Sequence, residues 1–161
     1  MKRLVLLRHA KSDWDDRTLP DHDRPLALRG RLAAPLMGAW LVEMDLAPDH
    51  IALSSSVRTR ETWARLRPLL PTPPEPAIEP SLYEATPETV LDVIRALPET
   101  ARTALLIGHN PGLETLASLL SARSIAMPTA AACVFELSDR WVDASPEAVR
   151  LAAFEAPKTL V

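Results

Sequence analysis

The chain of 161 residues is long enough for one domain with a buried core that needs neither disulfides nor metals. Its composition, 47% hydrophobic and 24% charged, is that of an ordinary globular protein. A formal net charge of −3 argues against general nucleic-acid binding, and the single cysteine excludes an internal disulfide and a four-cysteine zinc site. No apolar run approaches the roughly 20 residues that cross a membrane. We therefore expect one domain over residues 1–161, located in the cytoplasm, with neither membrane nor nucleic acid as a partner.

The first half of the chain indicates two strands, each followed by a helix. Residues 4–7 form an apolar run that stops at Arg8, which is typical of a buried strand. After a polar loop, apolar side chains recur at helical spacing; these are Leu32, Leu36, Trp40 and Met44. Pro35 falls inside this pattern and should either kink the helix or delay its start. Residues 51–53 predict a second strand, and after three serines a helix is expected over 57–66.

The second half begins with a proline-rich segment and then alternates between helices and strands. Residues 68–80 contain six prolines, and we expect an ordered loop within one domain rather than a linker. A helix should start at Thr86-Pro87-Glu88, where a capping threonine precedes a proline and an acid. Another helix is marked by apolar residues at helical spacing, which are Leu113, Leu116, Ala117 and Leu120. Strands are expected at residues 104–107, 131–137 and 149–154.

This alternation predicts an α/β fold, a three-layer α/β/α sandwich with a mostly parallel central sheet. In such sheets, ligands bind beyond the carboxyl ends of the strands. Three polar segments directly follow predicted strands: Arg8-His9, residues 54–58, and Gly108-His109-Asn110. We therefore expect these segments, which are far apart in sequence, to meet at one edge of the sheet.

Taken singly, each of these segments has an ordinary structural interpretation. Arg8-His9 can be a polar strand end, the serines can cap a helix, and Gly108-His109-Asn110-Pro111 can be a turn. Taken together, two arginines, two histidines and a helix N-terminus at one point form a pocket for a dianion. The combination favours a phosphate-binding site.

Five ordered motifs resemble those of the histidine phosphatase superfamily, which also contains the phosphoglycerate mutases. They are Leu7-Arg8-His9-Ala10-Lys11-Ser12, Asp23-Arg24-Pro25-Leu26 with Arg29-Gly30, Ser54-Ser55 with Arg58-Thr59-Arg60-Glu61-Thr62, Leu82-Tyr83-Glu84-Ala85, and Gly108-His109-Asn110-Pro111-Gly112-Leu113. The resemblance spans nearly the whole chain. The short length and the first motif are most similar to the SixA-type phosphohistidine phosphatases. The resemblance implies a phosphoglycerate mutase-like fold and phosphatase activity.

The resemblance also implies a role for each residue of the pocket. His9 would attack phosphorus through one ring nitrogen, while a backbone carbonyl holds the hydrogen of the other. Arg8 and Arg58 would bind the phosphoryl oxygens, and His109 would donate a further hydrogen bond to them. Glu84 would be the general acid that protonates the leaving group. Water would then hydrolyse the phosphohistidine, with no metal and no cofactor required.

Other polar residues near the first motif are secondary candidates. Lys11 and Ser12 are expected to bind substrate at the mouth of the pocket, although a solvated loop is an equal alternative. Four residues of the polar loop could suggest a metal site; these are Asp13, Asp21, His22 and Asp23. Adjacent residues of one loop rarely make a metal site alone, so we expect none.

The expected substrate is phosphohistidine on a partner protein, because the short chain has little spare length for a lid over the site. The alternatives are a phosphatase of small phosphomonoesters or sugar phosphates, and a regulatory module that binds phosphate without catalysis. A phosphoglycerate mutase needs a more elaborate site than this length allows. His9 together with Glu84 argues against simple binding, which needs neither a nucleophile nor an acid. The sequence leaves the oligomeric state open.

Overall fold

The structure is a computed structural model that describes residues 1–138 and 140–161. Its strands are β1 (Lys2–Arg8), β2 (His50–Leu53), β3 (Ala77–Ile78), β4 (Thr103–Gly108), β5 (Ala132–Leu137) and β6 (Val149–Glu155). Its α-helices are α1 (Leu28–Glu43), α2 (Val57–Leu66), α3 (Pro87–Arg95) and α4 (Gly112–Ser121). The strands form one sheet in the order β3-β2-β4-β1-β5-β6, parallel from β3 to β1 and antiparallel at β5 and β6. Within the described residues, no helix has the length and apolar character needed to cross a membrane.

Side chains of the central strands alternate between the two faces of the sheet, and helices cover both faces. Leu4 and Leu6 of β1 belong to the core beneath α3 and α4. Val5 and Leu7 of the same strand point to the opposite face and belong to the core beneath α1 and α2. Strands covered on both sides are apolar throughout, which explains the continuous apolar runs in the sequence. The predicted three-layer sandwich is confirmed.

Helix α1 buries only part of the face that its apolar periodicity marks. Trp40 of the predicted stripe faces the core, whereas Leu32 is 65% exposed and Met44 is 45% exposed, so only part of the stripe is buried. The buried positions are Gly30, Ala34, Met37, Gly38, Trp40 and Leu41. A Cβ at Gly30 would lie 2.2 Å from the carbonyl oxygen of Lys11. The helix therefore packs on its glycine side, where the backbone comes close to the first motif, and Leu32 stays outside the core.

Prolines shape the chain at three places. Helix α1 begins before Pro35, so this proline lies inside the helix and does not delay its start. The proline-rich segment contributes the short edge strand β3 between two 3-10 turns, which confirms the prediction of an ordered loop. Helix α3 begins at Pro87, and the hydroxyl of Thr86 accepts a hydrogen bond from the first turn, as the sequence predicts.

Candidate active site

Two strand ends and one helix start meet at the carboxyl edge of the parallel strands. The register pairs Arg8, at the end of β1, with Gly108, at the end of β4. His9 and His109 are the next residues, and their ring centroids are 5.2 Å apart. Arg58 reaches the same place from the first turn of α2, which follows β2. The structure therefore brings together four of the five residues predicted to be catalytic.

His9 is a neutral ring with one unprotonated nitrogen. Its Nδ1 lies 2.7 Å from the carbonyl oxygen of Ala10, which can only accept, so Nδ1 carries the proton. Burial lowers the pKa of His9 from 6.5 to about 4; the bond to Ala10 opposes this shift, and Arg58 and Arg8 reinforce it. Nε2 is therefore unprotonated at neutral pH, and Nε–H of Arg58 donates to it at 3.4 Å. A neutral imidazole with a free Nε2 can act as a nucleophile.

Asp21 holds the guanidinium group of Arg58. Nη1 of Arg58 donates to the Asp21 carbonyl oxygen at 2.8 Å, and Nη2 donates to Oδ2 at 3.0 Å. The same carboxylate accepts from Nη1 of Arg24 at 2.9 Å and from the Tyr83 hydroxyl at 2.6 Å. Burial favours the protonated form of Asp21, but the bonds from Tyr83 and Arg58 outweigh it and lower the pKa of this carboxyl. Asp21 is therefore an ionised acceptor rather than a proton donor.

Arg8 contributes a donor that the protein does not use. Its Nη1 donates to the carbonyl oxygen of Met127 at 3.0 Å. Its Nε is buried and has no acceptor among the described residues. Burial lowers the pKa of Arg8; Glu114 opposes this effect and Arg58 adds to it. A buried, unpaired N–H is costly, and an oxyanion bound between Arg8 and His9 would satisfy it.

His109 is also neutral, and Ser54 controls where its proton lies. Nε2 of His109 is 2.7 Å from the Ser54 hydroxyl, and its Nδ1 is 3.4 Å from Nη2 of Arg58. Burial lowers the pKa of His109 to about 3, and the proximity of His9 and of the charged Arg58 contributes. Because a guanidinium can only donate, Nδ1 accepts and Nε2–H donates to Ser54. For Nδ1 to donate to a phosphoryl oxygen, its tautomer must change, and the Ser54 hydroxyl would then donate to Nε2.

Glu84, the predicted general acid, is exposed and is not in hydrogen-bond contact with either histidine. It forms no hydrogen bond or ion pair with any of the described residues. Its neighbour Tyr83 packs edge-on against His109, with ring centroids 5.4 Å apart. Glu84 itself has a φ of 54°, which is uncommon for a residue with a side chain. The structure thus places its backbone beside a residue of the pocket, while its carboxylate is exposed.

Lys11 and Ser12, predicted at the pocket mouth, occupy different environments. Ser12 is buried, and its hydroxyl accepts from Nη2 of Arg24. Lys11 is half-buried and lines a groove beside α1 together with Arg29. Ser12 therefore supports Arg24, and Lys11 lies on the side of the site that faces α1.

Sequence reasoning does not place Asp21 in the site, and it assigns no role to Tyr83 or Ser54, although both lie in the motifs. Asp21 follows a run of polar residues without periodicity, and its only sequence signal is a carboxylate close to an arginine-containing motif. Among the described residues, no three His, Cys, Asp or Glu side chains are grouped so that they could hold a metal ion. The carboxylate of Asp21 bonds to Arg24 and Arg58 instead.

Comparison with known proteins identifies the family. The sequence model of the histidine phosphatase superfamily (branch 1) matches residues 4–86 of this chain. An uncharacterized protein of Mycobacterium tuberculosis is 34% identical, with 94% of this chain and 100% of that protein covered. An uncharacterized chloroplastic protein of Arabidopsis thaliana is also 34% identical, with 89% of this chain and 70% of that protein covered. The chain belongs to the histidine phosphatase superfamily and is a phosphatase.

Solved structures place the chain on the SixA-type branch of this superfamily. The candidate phosphohistidine phosphatase SixA from Nakamurella multipartitia has a TM-score of 0.83 and 26% identity, with 97% of this chain and 96% of that chain covered. Its counterpart from Agrobacterium tumefaciens has a TM-score of 0.82 and 26% identity, with coverage of 97% and 98%. The protein histidine phosphatase SixA, solved with tungstate, shares the fold with a TM-score of 0.84 at 21% identity, over 99% of both chains.

Proposed function

We propose that this phosphatase forms a covalent phosphohistidine on His9 and that its substrate is phosphohistidine on a partner protein. Nε2 of His9 attacks phosphorus, and the bond from phosphorus to the substrate imidazole breaks. The imidazole, protonated on its other ring nitrogen, leaves as a neutral molecule with the electron pair of that bond. Water then attacks the phosphorus on His9, which releases inorganic phosphate and restores the neutral ring. The mechanism uses no metal ion, because cationic side chains supply the charge.

The state of the His9 ring carries this proposal. A nucleophilic histidine needs one unprotonated nitrogen, and the 2.7 Å bond from Nδ1 to Ala10 leaves Nε2 without a proton. A pKa of about 4 keeps His9 neutral across the physiological range. A site that only bound phosphate would be better served by a charged imidazolium.

Two arginines are arranged to hold the transferred phosphoryl group. Asp21 fixes Arg58 through two bonds, so little side-chain freedom is lost when substrate binds. Arg8 supplies a buried donor, its Nε–H, that has no acceptor in the part of the chain that the structure describes. Negative charge moves onto the phosphoryl oxygens and the leaving group during transfer, and donors fixed in advance stabilise it. His109, after its tautomer changes, would add another donor.

The placement of the carboxylates supports phosphohistidine as the substrate. Asp21 is ionised and engaged by two arginines, so it cannot act as an acid. Glu84 is exposed and must approach the leaving group from solvent. The alkoxide of a phosphomonoester is a strong base and needs a proton as it leaves, whereas imidazole is a weaker base and needs less help. Glu84 remains our candidate for that acid.

A substrate comparison and a trapping experiment test the proposal together. A phosphohistidine protein and a panel of small phosphomonoesters are compared by kcat/KM, and the enzyme is quenched during turnover. We expect higher kcat/KM for phosphohistidine and an acid-labile, base-stable phosphoryl group on His9. His9→Ala should abolish both signals, while His50→Ala, a histidine at the start of β2, should keep them.

Each alternative function predicts a different outcome. Higher kcat/KM for a sugar phosphate or another monoester would replace the proposed substrate but keep the nucleophile. Phosphate binding without turnover of any substrate would make the protein a regulatory module. Native turnover by His9→Ala would show that the mechanism is wrong.

A further inference from the structure

A groove with an apolar floor lies between α1 and the end of the chain. Its volume is about 280 Å³. Apolar side chains and prolines make up most of its lining: Leu32, Ala33, Leu36, Pro128, Ala156, Pro157 and Val161. Leu32 is the residue that sequence periodicity assigns to the core, yet it is 65% exposed. The fold thus leaves Leu32 of α1 exposed at this groove.

The rim of this groove is cationic. Lys11, Arg29 and Lys158 line it, and within residues 1–138 and 140–161 no acidic side chain does. The chain as a whole carries a net charge of −3, so three positive side chains around one groove are a local departure from the overall charge. Apolar surface with a positive rim is complementary to a segment that carries both apolar and acidic side chains.

The groove continues into the active site. Pro128 and Lys158 line it and also line the neighbouring depression that contains Arg8. Pro128 directly follows Met127, whose carbonyl oxygen accepts from Arg8. Lys11 comes two residues after His9 in the chain. A polypeptide with its phosphoryl group between Arg8 and His9 can therefore run along the groove without leaving the surface.

We propose that this groove binds the segment of the phosphorylated partner that flanks its phosphohistidine, and that it selects segments with apolar and acidic side chains. This inference rests on the proposed function. The volume fits a few side chains and is smaller than the roughly 300–1,000 Å³ of typical small-molecule pockets. Specificity for the partner would thus arise beside the catalytic residues rather than among them.

Two synthetic phosphohistidine peptides of equal length, phosphorylated with phosphoramidate, test this assignment. One carries leucine and glutamate on both sides of the phosphohistidine, and the other carries serine and lysine. We expect kcat/KM about tenfold higher for the first peptide, through a lower KM, because one leucine buried in the groove is worth about that factor. Leu32→Glu and Arg29→Glu should each bring the ratio of the two values close to one.

Matched controls separate the groove from general surface effects. Leu119→Glu changes a leucine of α4 that is 55% exposed, and Arg65→Glu changes an exposed arginine of α2; neither residue lines the groove. Both should keep the tenfold ratio, and all four variants should hydrolyse p-nitrophenyl phosphate at the native rate.

Several outcomes would overturn the assignment. Equal kcat/KM for the two peptides in the native protein would remove the groove from substrate selection while leaving the proposed function intact. A preference that survives in Leu32→Glu would place recognition elsewhere. A dimer that Leu32→Glu dissociates would assign the groove to a second copy of this chain. Hydrolysis of p-nitrophenyl phosphate but of neither peptide would refute the proposed substrate and this inference with it.

Discussion

Lowering the pH from 8 to 5 should destabilise this protein through its two buried histidines. Burial lowers the pKa of His9 to about 4 and that of His109 to about 3, from an ordinary value of 6.5. Both rings are neutral in the folded state and become protonated on unfolding once the pH is below 6.5. Protons then bind the unfolded state preferentially. The free energy of unfolding is therefore highest well above pH 6.5, and it declines as the pH falls towards 4.

The expected size of the effect follows from these values. At pH 5 an unfolded histidine is about 97% protonated, whereas a ring with a pKa of about 4 is only about 9% protonated. The corresponding linkage free energy is about 2 kcal/mol for His9 and about the same for His109. The free energy of unfolding should therefore fall by about 4 kcal/mol between pH 8 and pH 5, a large part of a typical total of about 5–15 kcal/mol.

Urea unfolding followed by tryptophan fluorescence at pH 8 and pH 5 measures this loss. His9→Gln removes one of the two rings and should reduce the loss to about 2 kcal/mol. His50→Gln leaves the buried pair intact, so between pH 8 and pH 5 this variant should lose as much free energy of unfolding as the native protein does. A native loss of less than about 1 kcal/mol, or an undiminished loss in His9→Gln, would refute the claim that these histidines are neutral because they are buried.

Three further predictions concern catalysis. Arg58→Ala should lower kcat/KM by at least about 10²-fold. Arg60→Ala removes an exposed side chain and should change kcat/KM little. Equal losses in the two variants would mean that the wrong arginine is assigned. Glu84→Gln should slow hydrolysis of alkyl phosphomonoesters by about 10²- to 10⁴-fold in single-turnover assays and spare most phosphohistidine activity. If the ratio of the phosphomonoester rate to the phosphohistidine rate is the same in the variant as in the native protein, Glu84 is not the acid. Activity should survive EDTA and be inhibited by vanadate; loss in EDTA that one divalent ion restores would contradict the metal-free mechanism.

The meeting of the strand ends could be predicted because it depends only on strand direction. Arg8-His9 and Gly108-His109 each follow an apolar run, and parallel strands bring such ends to one edge. The choice between Arg58 and Arg60 also follows from local geometry, since residues two apart on a helix point in different directions. The structure buries Arg58 and exposes Arg60 accordingly.

The contacts of the polar loop could not be predicted, because loops have no periodicity. Asp21 bonds to Arg58 across 37 positions of the chain and to Tyr83 across 62. Helix α1 shows a different limit. Leu32 and Met44 of the predicted stripe are exposed, whereas Gly30 lets the helix backbone approach the first motif, and hydrophobicity alone does not reveal such a close approach. The exposed Leu32 is understood only once the groove beside it is known.

Two features that sequence reasoning misses favour the same substrate. Asp21 binds two arginines and therefore cannot supply a proton, which leaves the exposed Glu84 as the candidate acid. Such a site suits a leaving group that departs with little protonation, and the imidazole of phosphohistidine is one. Phosphohistidine occurs within a polypeptide, so its recognition needs a surface beside the pocket, and the groove along Leu32 is such a surface. The chemistry at His9 favours phosphohistidine, and the groove beside α1 would select the segment around it; each can be tested with variants that leave the other intact.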